Sequence, residues 1–216
     1  MARSRTRIIR SAKLLEDRER ASVILRMMMA VNDAGLASNA LQEWTESADR
    51  RKRARFQGGQ MYFSRISMAH CFEVFKILDE IEKSPKLKEA VQDCDSETRK
   101  SYATLRAFRA SSDYKVLLLI RNKISFHYDE TLSIRALERL VSRRPDDISS
   151  FSMGTETLDW YFELADKIVN SIMRRDLMKV IDSDHVEQDV DDILWRLGDI
   201  LRVFGDFAAH FSRRYT

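Results

Sequence analysis

The sequence predicts an all-α protein, a bundle of about six to eight helices, and three observations support this. The 216 residues include only two prolines and six glycines, so few positions interrupt a helix. Apolar residues recur every three or four positions along most of the chain. The breaks between these periodic stretches carry residues that begin or end helices, such as Ser84-Pro85. At this length, residues 1–216 are expected to form one domain.

The N-terminal region, residues 1–59, is predicted to hold two helices. Apolar residues at helical spacing predict the first over residues 11–32, with a turn at Asp33-Ala34-Gly35 ending it. The second is expected over residues 37–56 and carries a basic run. We expect the Gly58-Gly59 pair to break the chain after it.

The middle region, residues 60–154, is expected to form the core of the bundle. Its apolar periodicity predicts five helices: residues 60–83, 86–92, one beginning near Ser96, 113–128, and one around 132–141. Ser111 and Ser112 are candidate N-caps for the fourth, since their hydroxyl groups accept hydrogen bonds from unpaired amides of a first turn. A loop rich in serine and aspartate then reaches Gly154.

The C-terminal region, residues 155–216, predicts a long helical hairpin. Both arms, residues 155–181 and 186–211, carry apolar stripes as wide as those of helices in globular proteins. Its charge differs from that of the N-terminal end. Residues 1–60 carry thirteen Lys or Arg against seven Asp or Glu, whereas residues 155–200 carry five against twelve. Such asymmetry favours binding of polyanions at one surface or association with an oppositely charged partner.

Cysteine usage and hydropathy indicate the compartment. The two cysteines, Cys71 and Cys94, make no metal-binding spacing with each other or with a histidine, so reduced structural thiols in a cytoplasmic protein are expected. No apolar run reaches about 18 residues, so we expect no membrane span. Glycine-rich phosphate loops, nucleophile elbows and zinc knuckles are absent from the sequence, and we expect neither metal nor cofactor.

The most informative stretch is Ile120-Arg121-Asn122-Lys123-Ile124-Ser125-Phe126-His127-Tyr128-Asp129, which follows an apolar run. An arginine that is always charged and an imidazole that titrates near neutrality together suit binding of a phosphodiester and movement of its protons. His127 lies six positions after Arg121, which is about 9 Å of rise in an ideal helix and places the two residues on different faces. Their side chains converge only if the helix loosens, if the arginine bends back, or if a second copy faces the first.

Arg121, Asn122 and His127 resemble the signature of the HEPN superfamily, in which an arginine, often followed by asparagine, precedes a histidine by four to six intervening residues. The stretch is more particularly similar to the abortive-infection and toxin branch. The resemblance implies a HEPN-like helical bundle that forms a homodimer, with two motif copies at one cleft. It also implies metal-independent cleavage of RNA in phage defence or as the toxin of a toxin–antitoxin system, with a cognate antitoxin as a possible partner. Other members keep the fold as a catalytically inactive RNA- or protein-binding module, and that alternative stays open.

The chemistry of the residues fits this expectation. His127 is the candidate general acid and base for attack of an RNA 2′-hydroxyl on the neighbouring phosphorus. Arg121 would stabilise the charge of the five-coordinate phosphorus, and Asn122 would orient the phosphate or the histidine. Lys123 and Tyr128 are candidates for contacts with the RNA backbone or for stacking on a base. The alternative is that each is a surface residue on a solvated helix.

A basic run provides a second candidate contact with nucleic acid. Its members are Arg50, Arg51, Lys52, Arg53 and Arg55. Five cations within six residues attract phosphate groups with a strong dependence on salt. The alternative is an exposed helix face with no ligand, which is common for charge runs without interleaved aromatic residues.

Overall fold

The computed structural model describes residues 11–125, 129–156, 159–179 and 186–215. Most of these residues are helical and very few lie in strands, which confirms the predicted all-α bundle. They form ten α-helices, two π-helical segments (π1 and π2) and one pair of short strands. In chain order the elements are α1 Ser11–Leu14, α2 Arg18–Thr45, α3 Arg50–Ala54, α4 Phe56–Lys83, α5 Pro85–Gln92, α6 Ser96–Phe108, α7 Ser112–Ile120, π1 Arg121–Ser125, α8 Glu130–Arg143, β1 Phe151–Ser152, β2 Tyr161–Phe162, α9 Glu163–Ser171, π2 Ile172–Leu177 and α10 Val186–Tyr215. The number of α-helices exceeds the expected six to eight partly because α1 and α3 are only four and five residues long.

Side-chain caps fix the starts of the middle helices. The Ser84 hydroxyl accepts a hydrogen bond from the amide of Leu87 at 3.3 Å, and Pro85 is the first residue of α5, one position before the predicted start at residue 86. The Asp95 carboxylate accepts the amide of Thr98 at 2.8 Å and begins α6. Of the two serines proposed to cap α7, Ser111 does so, accepting an amide at 3.1 Å.

Two predicted helix breaks are wrong. Gly35 lies inside the continuous α2, where nothing approaches the position of a Cβ within 4 Å. The Gly58-Gly59 pair lies in the first turn of α4. A Cβ at Gly58 would overlap the carboxylate of Asp166, and one at Gly59 the indole ring of Trp44. This pair therefore permits close packing instead of ending a helix.

The centre of the bundle is formed by α2 and α4, which pack along one another and are joined by α10. The long α10 lies mainly against α6 and α2. Large side chains that are almost completely buried fill the space between them; they include Phe75, Phe204, Phe207, Phe211, Ile24, Met27 and Leu105. In the part of the chain that the structure describes, every helix is too short or too polar to cross a lipid bilayer.

The C-terminal region differs from the long hairpin expected there. The first helical arm begins at Glu163, not at residue 155, and follows the strand pair β1–β2, in which Phe151 pairs with Phe162. The main contacts of α9 are with α4 and α8, whereas those of α10 are with α6 and α2. The two C-terminal helices thus pack against different faces of the bundle.

Candidate functional site

The motif begins where α7 changes its hydrogen-bonding pattern. After Ile120 the helix widens into π1, so the loosening considered from the sequence occurs at Arg121. Three buried apolar residues, Leu117, Ile120 and Ile124, hold the segment against the core. The Ser125 hydroxyl lies 3.1 Å from the carbonyl oxygen of Ile120, to which it donates. Single-turn π-helices are rare and occur frequently at functional sites.

A buried arginine that sequence reasoning missed holds this segment from α4. Arg65 is 7% exposed, and its Nη1 donates to the carbonyl oxygen of Ile124 at 2.6 Å. Its Nε donates to the carbonyl oxygen of Met61 at 3.3 Å. One sequence signal was available: Arg65 lies four residues after Met61 and four before Ala69, on the apolar face of α4. A buried cation is costly unless it is paired or hydrogen-bonded, and here the carbonyl oxygen of Ile124 in the motif segment accepts its hydrogen bond.

The structure brings Arg121 and Asn122 together. Arg121 Nη1 donates to Asn122 Oδ1 at 3.0 Å, and the guanidinium carbon lies 5.4 Å from the centre of the Phe72 ring. The Arg121 side chain is one-third exposed. Its guanidinium is thus oriented by an amide and an aromatic face while part of it remains open to solvent.

A carboxylate also lies near this guanidinium. Glu73 Oε1 is 3.8 Å from Arg121 Nη2, too long for a hydrogen bond. The same oxygen accepts Lys76 Nζ at 2.8 Å. Because Lys76 holds the closer contact, Glu73 neutralises Arg121 only in part.

The other motif residues divide between described and undescribed positions. His127 and Tyr128 lie outside the described residues, so the predicted approach of His127 to Arg121 stays a prediction. Lys123 forms an ion pair with Asp129 at 2.8 Å. This bond, together with the amide of Leu132, lowers the pKa of the Asp129 carboxyl group. Asp129 thereby caps α8 and fixes the far end of the motif segment.

The predicted basic run divides into paired and exposed cations. Arg51 donates to Glu156 at 2.8 Å and to Asp159 at 3.2 Å, both in the loop between β1 and β2. Its neighbours Lys52 and Arg55 lie against the rings of Trp44 and Tyr161, at 5.8 Å and 5.1 Å. Arg50 and Arg53 are exposed. The acidic C-terminal region thus neutralises part of the basic N-terminal one within the chain.

A polar cavity of about 520 Å³ lies behind this run, lined by residues of α3, α4 and α9. Asp166 is half-buried there, and burial raises the pKa of its carboxyl group although Arg55 and Arg65 oppose the shift. Its Oδ2 atom has no hydrogen-bond partner among the described residues. The Cys71 thiol is buried elsewhere in the core, and burial raises its pKa to about 12, so it is no nucleophile near neutral pH.

Comparison with known proteins gives no further guide. No protein-family model, curated protein or solved structure matches this chain. Among the described residues, no group of three histidine, cysteine or carboxylate side chains is placed to hold a metal ion. The function is therefore inferred from the motif and its geometry.

Proposed function

We propose that the protein is a HEPN-like, metal-independent RNA endonuclease that acts in phage defence or as the toxin of a toxin–antitoxin system. The observation that carries this proposal is the Arg121 guanidinium, held at the start of π1 by Asn122 and Phe72 and partly open to solvent. The Asn122 amide accepts from Arg121 through its oxygen, which leaves its nitrogen to donate to a phosphate.

The reaction needs no metal because the substrate supplies the nucleophile. The RNA 2′-hydroxyl loses its proton to a base, and its oxygen forms a bond to the adjacent phosphorus. The bond from phosphorus to the 5′-oxygen breaks, and that oxygen receives a proton. His127 performs the proton transfers, while Arg121 stabilises the charge of the five-coordinate phosphorus.

Two copies of the chain complete the site in this proposal. A homodimer with the motif segments facing across a two-fold axis would place His127 of one copy and Arg121 of the other at one phosphate. The enzyme would work in the cytoplasm, where an antitoxin protein would cover the cleft until release. A monomeric mass in light scattering at micromolar concentration would contradict the shared cleft.

The test is cleavage of single-stranded RNA by the purified protein in the presence of EDTA. Arg121→Ala and His127→Ala are each expected to abolish cutting and leave the far-ultraviolet circular dichroism unchanged. Arg202→Ala is the matched control, since this arginine of α10 has a 69% exposed side chain and a helical setting. Cutting that persists in both motif variants would remove the proposed site.

One observation favours the alternative, a catalytically inactive HEPN-like module that binds RNA or a protein. Glu73 lies 3.8 Å from the Arg121 guanidinium, and a carboxylate there opposes the approach of a phosphate. The module predicts retention of RNA or a partner without cleavage. A Glu73→Gln variant separates the two: faster cleavage is expected for the enzyme, and tighter binding alone for the module.

A further inference from the structure

A cavity of about 500 Å³ lies beside the motif segment, and its lining residues come from α7, π1, α8, π2 and the second residue after π2. Three leucines of α7, α8 and π2 form its apolar part. The other lining residues are four cations, Lys123, Arg135, Arg175 and Lys179, and one acid, Asp176. An apolar floor with several cations around it suits an anion, because the positive field is concentrated over a surface of low dielectric.

The acid in this cavity already has a partner outside it. Asp176 accepts both terminal nitrogens of Arg139, at 3.1 Å and 2.5 Å, in a two-point ion pair. Arg135 is farther from Asp176, at 3.7 Å, and its side chain is 54% exposed. Because Arg139 donates to both carboxylate oxygens of Asp176, the guanidinium of Arg135 can still donate hydrogen bonds to another anion.

Lys179 reaches the cavity from an unusual backbone position. It follows π2 with a φ angle of 55°, the left-handed region, which residues with a Cβ seldom adopt. Such conformations persist where the surrounding structure imposes them, and they are concentrated at functional sites. The Lys179 side chain is exposed at the mouth of the cavity.

The motif segment directs two cations to different neighbours. Arg121 lies over Phe72 of α4, whereas Lys123 pairs with Asp129 at the start of α8 and lines the cavity. A small anion would engage only one of the two cations. A nucleic acid strand carries a phosphate on every nucleotide, so one strand crossing π1 engages both.

We infer that this cavity binds a backbone phosphate of the RNA strand next to the phosphate held at Arg121. The inference rests on the proposed function and extends it by a second phosphate subsite, formed by Arg135, Lys179 and Lys123. Lys123 is expected to contribute least to phosphate binding, since it already forms an ion pair with Asp129 at 2.8 Å.

The experiment measures binding of a short 2′-O-methyl oligonucleotide, which lacks the attacking hydroxyl and so stays intact, to the full chain by fluorescence anisotropy. The test variant combines Arg135→Gln with Lys179→Asn. Asp176 keeps Arg139 in this variant, and asparagine tolerates the left-handed φ. We expect binding to weaken about tenfold or more, as when one charge-assisted hydrogen bond is removed. The slope of log K against log salt should fall by about 0.7 for each phosphate that the variant no longer neutralises.

The control is Arg202→Gln, which removes an exposed cation from α10 and should change neither affinity nor slope. Equal melting temperatures for wild type and the double variant exclude unfolding as the cause. An unchanged affinity and slope in the folded double variant would overturn the inference. Inorganic pyrophosphate, added as competitor, should displace the oligonucleotide only weakly. Pyrophosphate that binds as tightly as the oligonucleotide, and loses binding in the double variant, would overturn the assignment to RNA.

Cleavage of unmodified RNA distinguishes this inference from the proposed function. The double variant keeps Arg121 and His127, so we expect a raised KM with a nearly unchanged kcat. If the wild-type protein binds the oligonucleotide through the cavity but never cuts RNA, the proposed nuclease activity is contradicted and the phosphate subsite is not. If wild type and the double variant cut RNA with the same KM, the phosphate subsite is contradicted and the nuclease activity is not. A protein that neither binds nor cuts RNA contradicts both.

Discussion

Replacing the buried Arg65 by methionine tests whether the motif segment is held from α4. Arg65 donates through Nη1 to the carbonyl oxygen of Ile124 at 2.6 Å, and Ile124 is 2% exposed. Methionine has a similar length, favours helices and donates no hydrogen bond. Arg65→Met therefore removes the support of π1 and disturbs α4 little.

The expected loss follows from two effects. A hydrogen bond to a charged group contributes about 1.5–3 kcal/mol, and an unsatisfied buried carbonyl costs about 1–3 kcal/mol. The two overlap, since both concern the carbonyl oxygen of Ile124, so we expect about 2–4 kcal/mol in the free energy of unfolding. Domains are typically stable by about 5–15 kcal/mol, so the variant should fold but with a displaced motif.

The assay is urea unfolding followed by circular dichroism, with Arg99→Met as the matched control. Arg99 also donates to a backbone carbonyl, that of Gln92 at 3.0 Å, but it is exposed, and we expect a change below about 0.5 kcal/mol. RNA cleavage at saturating substrate should fall in Arg65→Met and stay normal in Arg99→Met. Equal small changes in stability for both variants would falsify the view that Arg65 anchors π1.

Three further predictions concern stability. Gly59→Ala should lower the melting temperature because its Cβ would overlap the rigid indole ring of Trp44. Gly35→Ala, with open space around it, should instead raise the free energy of unfolding by up to about 1 kcal/mol in urea titrations. Burial raises the pKa of the Asp166 carboxyl group, so its contribution to stability is present below the ordinary carboxyl pKa and is lost as the pH rises through the raised pKa. Asp166→Asn should therefore gain stability relative to wild type above about pH 4, as measured by unfolding across pH. The pKa of the Asp129 carboxyl group is lowered, so its contribution to stability is present above pH 3.8 and is lost as the pH falls below that value. In Asp129→Asn the free energy of unfolding should therefore depend less on pH in this acidic range.

The helical character and most helix starts could be predicted because they depend on local chemistry. Ser84 followed by Pro85, and Ser111 ahead of an apolar run, supply the caps that a first turn requires. Gly58 and Gly59 misled the prediction because their role depends on side chains of α9 and α2. Propensity treats a glycine pair as a break, while tertiary packing uses the same pair for close contact.

The candidate site was predictable in its residue types but not in its supports. The pattern of Arg121 and Asn122 within one apolar segment is visible in the sequence, and the structure joins the two side chains at 3.0 Å. The hydrogen bond from Arg65 spans 59 residues, and no periodicity along the chain encodes such a distant pairing. The same holds for Lys179, whose left-handed φ no pattern in the sequence indicates.

The charge pattern shows why cations must be assessed after folding. The basic run gave the largest concentration of positive charge in the sequence, yet Arg51 meets Glu156 and Asp159 in the folded chain. Phosphates would have to displace these carboxylates, which reduces the net gain from binding there. Arg135 and Lys179 are scattered along the sequence but line one cavity with a single acid that Arg139 already satisfies. We therefore expect the cavity beside π1 to contribute more to binding of the proposed RNA strand than the basic run does, although the basic run has more cations in sequence.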